Sequence, residues 1–274
     1  MSAEVIDASD PRVTWTAAYV TQCERLLGKA ACERLAIYAL PEGFRLSVII
    51  PVFNEAATVA RVVQRVRDTG LPLEIILVND GSSDGTAGAI ESLANEDVSI
   101  RAISHSVNQG KGAAIRTGMD VASGDVLVVQ DADLEYNPED LRYLLQPIVN
   151  DEADVVYGTR YGHTDRQISP WWHERMNGLI TMLANIAIGL RLEDVETCYK
   201  MMRRDSIVPL IPKLRENRFG IEIELTARLA RQKIRFAQRR IRYHHRWYDE
   251  GKKIGWRDGV SALWCIFYYG LLRR

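Results

Sequence analysis

VLVVQDAD, residues 126–133, is a run of apolar residues that ends in two aspartates, Asp131 and Asp133. An apolar run without polar alternation suits a strand buried on both faces. Carboxylates at i and i+2 point to opposite faces of a strand, but past its end the chain turns and both can address one cleft. Mg²⁺ and Mn²⁺ take such hard oxygen ligands and often keep phosphate oxygens in their shell. Asp-x-Asp also recurs at turns and helix caps. Its place directly after a buried strand favours the metal reading.

Outward from this segment the chain alternates strand and helix. Apolar runs at Leu46–Val52, Glu74–Val78, Ser99–Ser104 and Asp154–Tyr157 join Val126–Gln130 as expected strands. Helical stretches are expected at 55–68, 84–94 and 112–122, with another opened by Pro138. Such alternation predicts an α/β fold: a mostly parallel sheet with helices on both faces and ligands at the carboxyl ends of its strands. Polar residues gather at those ends, with Asn54 and Glu55 after the first strand and Asn79 and Asp80 after the second.

Two further segments suit nucleotide chemistry. In NDGSSDGT, residues 79–86, the glycines permit tight turns and Ser83 or Asp84 can cap a helix, which leaves Asp80 free to meet a base or ribose. NQGKG, residues 108–112, sets Lys111 in a glycine-rich turn before a helix, where backbone N–H groups can receive phosphate. The GxxxxGK[ST] spacing of a P-loop is absent.

Together LSVIIPVFNE (46–55), VNDGSSDGT (78–86), NQGKGAA (108–114), DADL (131–134) and GTR (158–160) resemble, in order, the motifs of family 2 glycosyltransferases. The similarity is to the dolichyl-phosphate mannosyltransferase-like branch and spans about residues 46–250. It implies a GT-A (Rossmann-like) fold, a nucleotide-sugar donor, Mg²⁺ or Mn²⁺, and inversion at the anomeric carbon. By the same resemblance Pro51, Phe53 and Glu55 contact the nucleoside, Asp80 reads the base, and Lys111 flanks the nucleotide. Asp131 and Asp133 hold the metal, and Arg160 lies near donor or acceptor phosphates. Asn79 stands where many members have aspartate. DVETCYK, residues 194–200, resembles the acceptor-side segment, with Lys200 in place of a common arginine. Glu222 aligns with the general base of hydroxyl-accepting relatives, although a carboxylate in a first helical turn also suits the helix dipole.

Charge is unevenly spread. Residues 1–199 carry 16 Lys and Arg against 29 Asp and Glu, a balance of −13; residues 200–274 carry 19 against 7, or +12. The basic tail suits a surface that meets phosphates or anionic lipid. RWYDEGKK, residues 246–253, resembles the segment of lipid-phosphate glycosyltransferases in which cations meet the acceptor phosphate, which implies Arg246, Lys252 and Lys253 at the acceptor. Val260, Leu263, Trp264, Phe267, Tyr268 and Leu271 have helical spacing, so residues 251–274 are expected to form an amphipathic helix. The same stripe could instead pack on the helix that starts near Trp171. Residues 1–44 are expected to form a helical extension, with Trp15, Tyr19, Leu26, Leu27, Ala30 and Leu35 on one face, and 45–250 the catalytic domain.

The four cysteines are scattered without a CxxC pair, against a zinc site or disulfide framework. No signal-peptide pattern opens the chain, and the longest apolar stretch, 176–190, is interrupted by Asn177, Asn185 and two glycines. A cytoplasmic protein, peripheral on the membrane where the acceptor is a polyprenyl phosphate, is therefore expected, without a nucleic-acid partner. A UDP-sugar is the favoured donor and GDP-mannose the other. A sugar nucleotidyltransferase would share the alternation, but its arginine-containing glycine-rich N-terminal loop is missing. A nonenzymatic nucleotide-sugar-binding module would not need Asp80, Asp131 and Asp133 together.

Overall fold

The computed structural model describes residues 13–161, 171–245 and 256–272. In chain order the elements are α1 (Ala17–Leu27), α2 (Lys29–Arg34), β1 (Leu46–Val52), α3 (Val59–Arg67), β2 (Leu73–Asn79), α4 (Thr86–Glu96), β3 (Ile100–Ser104), α5 (Lys111–Val121) and β4 (Val126–Val129). There follow α6 (Leu141–Val149), β5 (Val155–Thr159), α7 (Trp171–Ile188), β6 (Lys200–Arg203), α8 (Arg204–Ile207), α9 (Ile221–Ala230), β7 (Phe236–Arg240) and α10 (Trp256–Cys265), which continues as a π-helix over Ile266–Leu272.

The strands form one seven-stranded sheet in the order β3-β2-β1-β4-β6-β5-β7. β1 pairs in parallel with β2 and with β4, whereas β6 runs antiparallel to both β4 and β5. All residues of β4 and β5 are buried, so helices cover both faces of the sheet centre. β6 and β7 lie outside the strands expected from sequence. β6 begins at Lys200 among polar residues, and β7, FAQRR, is an edge strand whose arginines stay at the surface.

The chain order reverses between β1 and β4, which opens a crevice at their carboxyl ends. Close packing of α5 aims its first turn at this crevice. A Cβ on Gly118 would collide with Ile49 Cγ2 of β1 and approach Val78 of β2. Only glycine lets the helix lie so near the sheet.

The N-terminal extension divides into two helices at Gly28, and the exposed part of its apolar stripe does not pack on the sheet. Leu26 is 77% exposed, and Leu27 and Leu35 are exposed as well. The extension is instead held by Trp15, whose Nε1 donates to Gly70 O at 2.7 Å and whose ring lies beneath the Arg142 guanidinium. At the other end, α10 and the π-helix pack on α7 and α9. Ala262, Cys265, Ile266, Tyr269 and Gly270 are buried there, while Leu263, Trp264, Phe267 and Leu271 remain exposed. The stripe picked out in the sequence is thus the face left exposed at Leu263, Trp264, Phe267 and Leu271, and a different face of the helix packs on α7 and α9. Among the described residues no helix is long and apolar enough to cross a membrane.

Candidate active site

The strand ends and two helix N-termini bring the polar segments together. Past β4, Gln130 is fixed by Tyr199, whose OH donates to Gln130 Oε1 at 2.5 Å. The chain then bends sharply at Leu134, which takes φ +66°, a conformation a branched side chain rarely adopts. This bend returns the backbone N–H of Glu135 to Asp133 Oδ1 at 3.1 Å. Glu135 is held in turn by Tyr243, whose OH donates to Glu135 Oε2 at 2.5 Å.

Burial, and then the charges of Asp131 and Glu135, push the Asp133 carboxyl up to about 8. Such a crowded set of hard oxygens suits a divalent cation. Among the described residues no three His, Cys, Asp or Glu side chains converge as a metal site. Asp131 and Asp133 could hold such a cation together with the oxygens of a diphosphate.

Lys111 faces this pair from the start of α5. Its Nζ lies 2.8 Å from Asp131 Oδ1, 3.0 Å from Glu222 Oε1, and 5.8 Å from the centre of the Phe219 ring. Burial opposes the charge, but Asp131 and Glu222 outweigh it and hold the ammonium well above the usual lysine range. Glu222, in the first turn of α9, is buried, and its Oε2 has no hydrogen-bond partner among the described residues.

The turn carrying Lys111 is fixed from two sides. Asp80 Oδ1 accepts from Gln109 N at 2.9 Å and meets His105 Nδ1 at 2.8 Å; Asp80 Oδ2 accepts from Gly110 N at 2.7 Å. The carboxylate that the family resemblance gives to the base is thus largely taken up by the protein's own turn, and it is 2% exposed. On the other side, Ala113 N donates to Asn217 O at 3.1 Å, and a Cβ on Gly112 would come within 2.5 Å of Glu216 O.

Arg160 stands at the end of β5 and is locked to Asp194. Nε donates to Oδ2 at 2.6 Å and Nη2 to Oδ1 at 2.8 Å, with the guanidinium 5.3 Å from the Tyr243 ring centre. Lys200 departs from its expected acceptor role. It is 1% exposed, and its ammonium donates to the carbonyls of Val195, at 2.9 Å, and of Thr197. It holds the 194–199 loop from beneath, and burial brings its amine down to about 8. Pro51, Phe53 and Glu55 line the end of β1, where Glu55 Oε2 accepts from Thr58 Oγ1 at 2.7 Å. Arg246, Lys252 and Lys253 lie outside the described residues.

Sequence reading missed His105, Tyr243 and Glu196. Burial, with Asp194 and Glu222 nearby, pushes the Glu196 carboxyl up to about 7. For Tyr243 the signal is three-dimensional, since its partner Glu135 lies 108 positions away. For His105 the available signal is its place directly after β3, beside the end of β2 that carries Asp80.

A mostly parallel sheet with two aspartates beyond its central strand, opposite a lysine-bearing turn, is the GT-A arrangement of a glycosyltransferase. The chain belongs to glycosyl transferase family 2, whose model matches residues 47–209. It is 28% identical to an undecaprenyl-phosphate mannosyltransferase of Micrococcus luteus, across 84% of this chain and 96% of that relative. It is 30% identical to a dodecaprenyl-phosphate galacturonate synthase of Rhizobium johnstonii, across 61% of this chain; the aligned part spans 50% of that relative's length. A similar fold occurs in glucosyl-3-phosphoglycerate synthase of Mycobacterium tuberculosis, solved with Mn²⁺, uridine diphosphate and glucosyl-3-phosphoglycerate. The TM-score is 0.62 at 19% identity, covering 93% of this chain and 84% of that one.

Proposed function

We propose that this glycosyltransferase moves a sugar from a nucleotide diphosphate donor to a polyprenyl phosphate, with inversion. The observation that carries the donor side is the crowding of Asp133 by Asp131 and Glu135, opposite Lys111. Mg²⁺ or Mn²⁺ held by Asp131 and Asp133 would supply charge stabilisation to the leaving diphosphate. A UDP-sugar is our first assignment for the donor and GDP-mannose the second.

The acceptor assignment draws on the polyprenyl-phosphate relatives. A phosphate oxygen is already anionic near neutral pH. Its attack on the anomeric carbon, with departure of the nucleoside diphosphate, needs no proton removed. Arg160, aimed by Asp194, is suited to orient that phosphate, and Arg246, Lys252 and Lys253 are proposed to assist. A hydroxyl acceptor is the second reading. The buried, unpartnered Oε2 of Glu222 favours it, because such an oxygen could take the hydroxyl proton.

A membrane surface follows from the lipid acceptor. α7 leaves Met176, Leu179, Met182 and Ile186 exposed on one stripe, and the adjoining C-terminal helix adds Leu263, Trp264, Phe267 and Leu271. These apolar faces, together with the basic balance of residues 200–274, suit an anionic bilayer.

The test is a donor screen that measures nucleoside diphosphate release from UDP-, GDP- and dTDP-sugars with Mn²⁺ or Mg²⁺, with and without undecaprenyl phosphate. Release that requires the lipid phosphate is the expected result. Equal release to a soluble hydroxyl acceptor, lost by about 10²-fold in Glu222→Gln, would install the second reading.

A further inference from the structure

Lys111 occupies an unusual electrostatic position. It is the first residue of α5, where the positive end of the helix disfavours a cation. Two carboxylates from different elements nevertheless hold it: Asp131 beyond β4 and Glu222 in α9, at 2.8 and 3.0 Å. One of these two is a residue that a divalent cation would need. A lysine ammonium at contact with Asp131 Oδ1 and a dication shared by Asp131 and Asp133 would repel each other across a few ångströms, so each weakens the binding of the other.

We propose that Lys111 and the divalent cation compete for Asp131, and that the donor diphosphate settles the competition by accepting the lysine. Lys111 is then an internal counter-ion that enforces order: the metal enters with the nucleotide diphosphate rather than ahead of it. The face of the Phe219 ring lies beside the ammonium, 5.8 Å from it, and offers a weak alternative to the carboxylates when the lysine moves. The turn itself is pinned by Asp80 and by the Asn217 carbonyl, so the movement is confined to the side chain. Departure of the lysine would also leave Glu222 buried without its cation. The fates of the metal site and of the carboxylate on α9 are therefore joined through one side chain.

This inference rests on the metal reading above, and its test separates the two. Mn²⁺ binding is followed by the electron paramagnetic resonance signal of the free ion, with and without UDP, in the wild type, Lys111→Met and Lys111→Arg. Thermal melts check that each variant is folded. Wild type and Lys111→Arg are expected to bind Mn²⁺ weakly without UDP and well with it. Lys111→Met is expected to bind Mn²⁺ about tenfold more tightly than wild type without UDP, and to lose that advantage once UDP is present. A gain of equal size with and without UDP would mean a general field effect and overturn the competition. So would unchanged affinity in Lys111→Met while wild type still needs UDP, which leaves the metal reading standing. Absence of Mn²⁺ binding in every protein with UDP would overturn both.

Discussion

The Arg160 guanidinium and the Asp194 carboxylate meet through two parallel bonds, Nε to Oδ2 at 2.6 Å and Nη2 to Oδ1 at 2.8 Å. Asp194 has no exposed side-chain surface, whereas 20% of the Arg160 side chain remains accessible. The pair therefore aims a cation at the cleft from a rigid base. Asp194→Ala is expected to destabilise the protein by about 3 kcal/mol or more, since it leaves a buried charge without its partner. Arg160→Lys keeps the charge but not the fork. Its expected effect is a rise in KM for the phosphate acceptor with little change for the donor, read from steady-state kinetics; equal changes for both would remove Arg160 from the acceptor side.

Gly112 sits where α5 meets the 214–217 turn, and an added Cβ would lie 2.5 Å from Glu216 O and 2.9 Å from Arg218 O. Backbone atoms cannot yield as a flexible side chain does. Gly112→Ala is expected to cost about 1–3 kcal/mol in a denaturation midpoint measurement. It should also raise KM for the donor, because Lys111 is displaced with the turn. A variant as stable as the wild type would show that the two segments can separate freely.

Glu196 gives the protein a pH-dependent stability. Its carboxyl is pushed by burial from the usual 4.5 up to about 7, so the folded chain keeps a proton that the unfolded chain releases. The stabilisation is full below about 4.5 and is lost as pH rises toward 7. Glu196→Gln is expected to flatten this slope and to be more stable than wild type above pH 7, by about 1 kcal/mol given the partial exposure of the group. Parallel stability curves for the two proteins would contradict the assignment.

Trp264 is 59% and Ile186 73% exposed, on helices that pack against each other. Flotation with anionic vesicles is expected to carry the wild-type protein in a salt-sensitive manner. Trp264→Glu combined with Phe267→Glu should abolish it, and Lys252→Glu with Lys253→Glu should reduce it. No flotation with anionic vesicles at low salt would rule out the membrane surface.

Much of this was legible in the sequence because the sheet centre is written in continuous apolar runs. LSVIIPV and VLVV suit buried strands, their alternation with helical stretches points to a parallel sheet, and their polar ends marked the crevice. β6 and β7 were hidden for opposite reasons. Lys200 opens β6 with an ammonium that the carbonyls of Val195 and Thr197 satisfy, a contact no period reveals. The arginines of β7 suit a half-exposed edge and so show no apolar period. At the site, residue types were readable and their engagements were not. Asp80 proved to anchor the lysine turn, and Glu222 to face Lys111, through pairings of distant segments.

Calorimetric titration of UDP and GDP, with and without Mn²⁺, into wild type and Asp133→Ala tests the metal-assisted donor site most directly. Wild type is expected to bind one nucleotide in a strictly Mn²⁺-dependent manner. Asp133→Ala should melt as cooperatively as wild type and bind that nucleotide weakly, with no response to Mn²⁺. Retention of the Mn²⁺-dependent affinity by Asp133→Ala would contradict the assignment of this strand end as the place where metal and diphosphate meet.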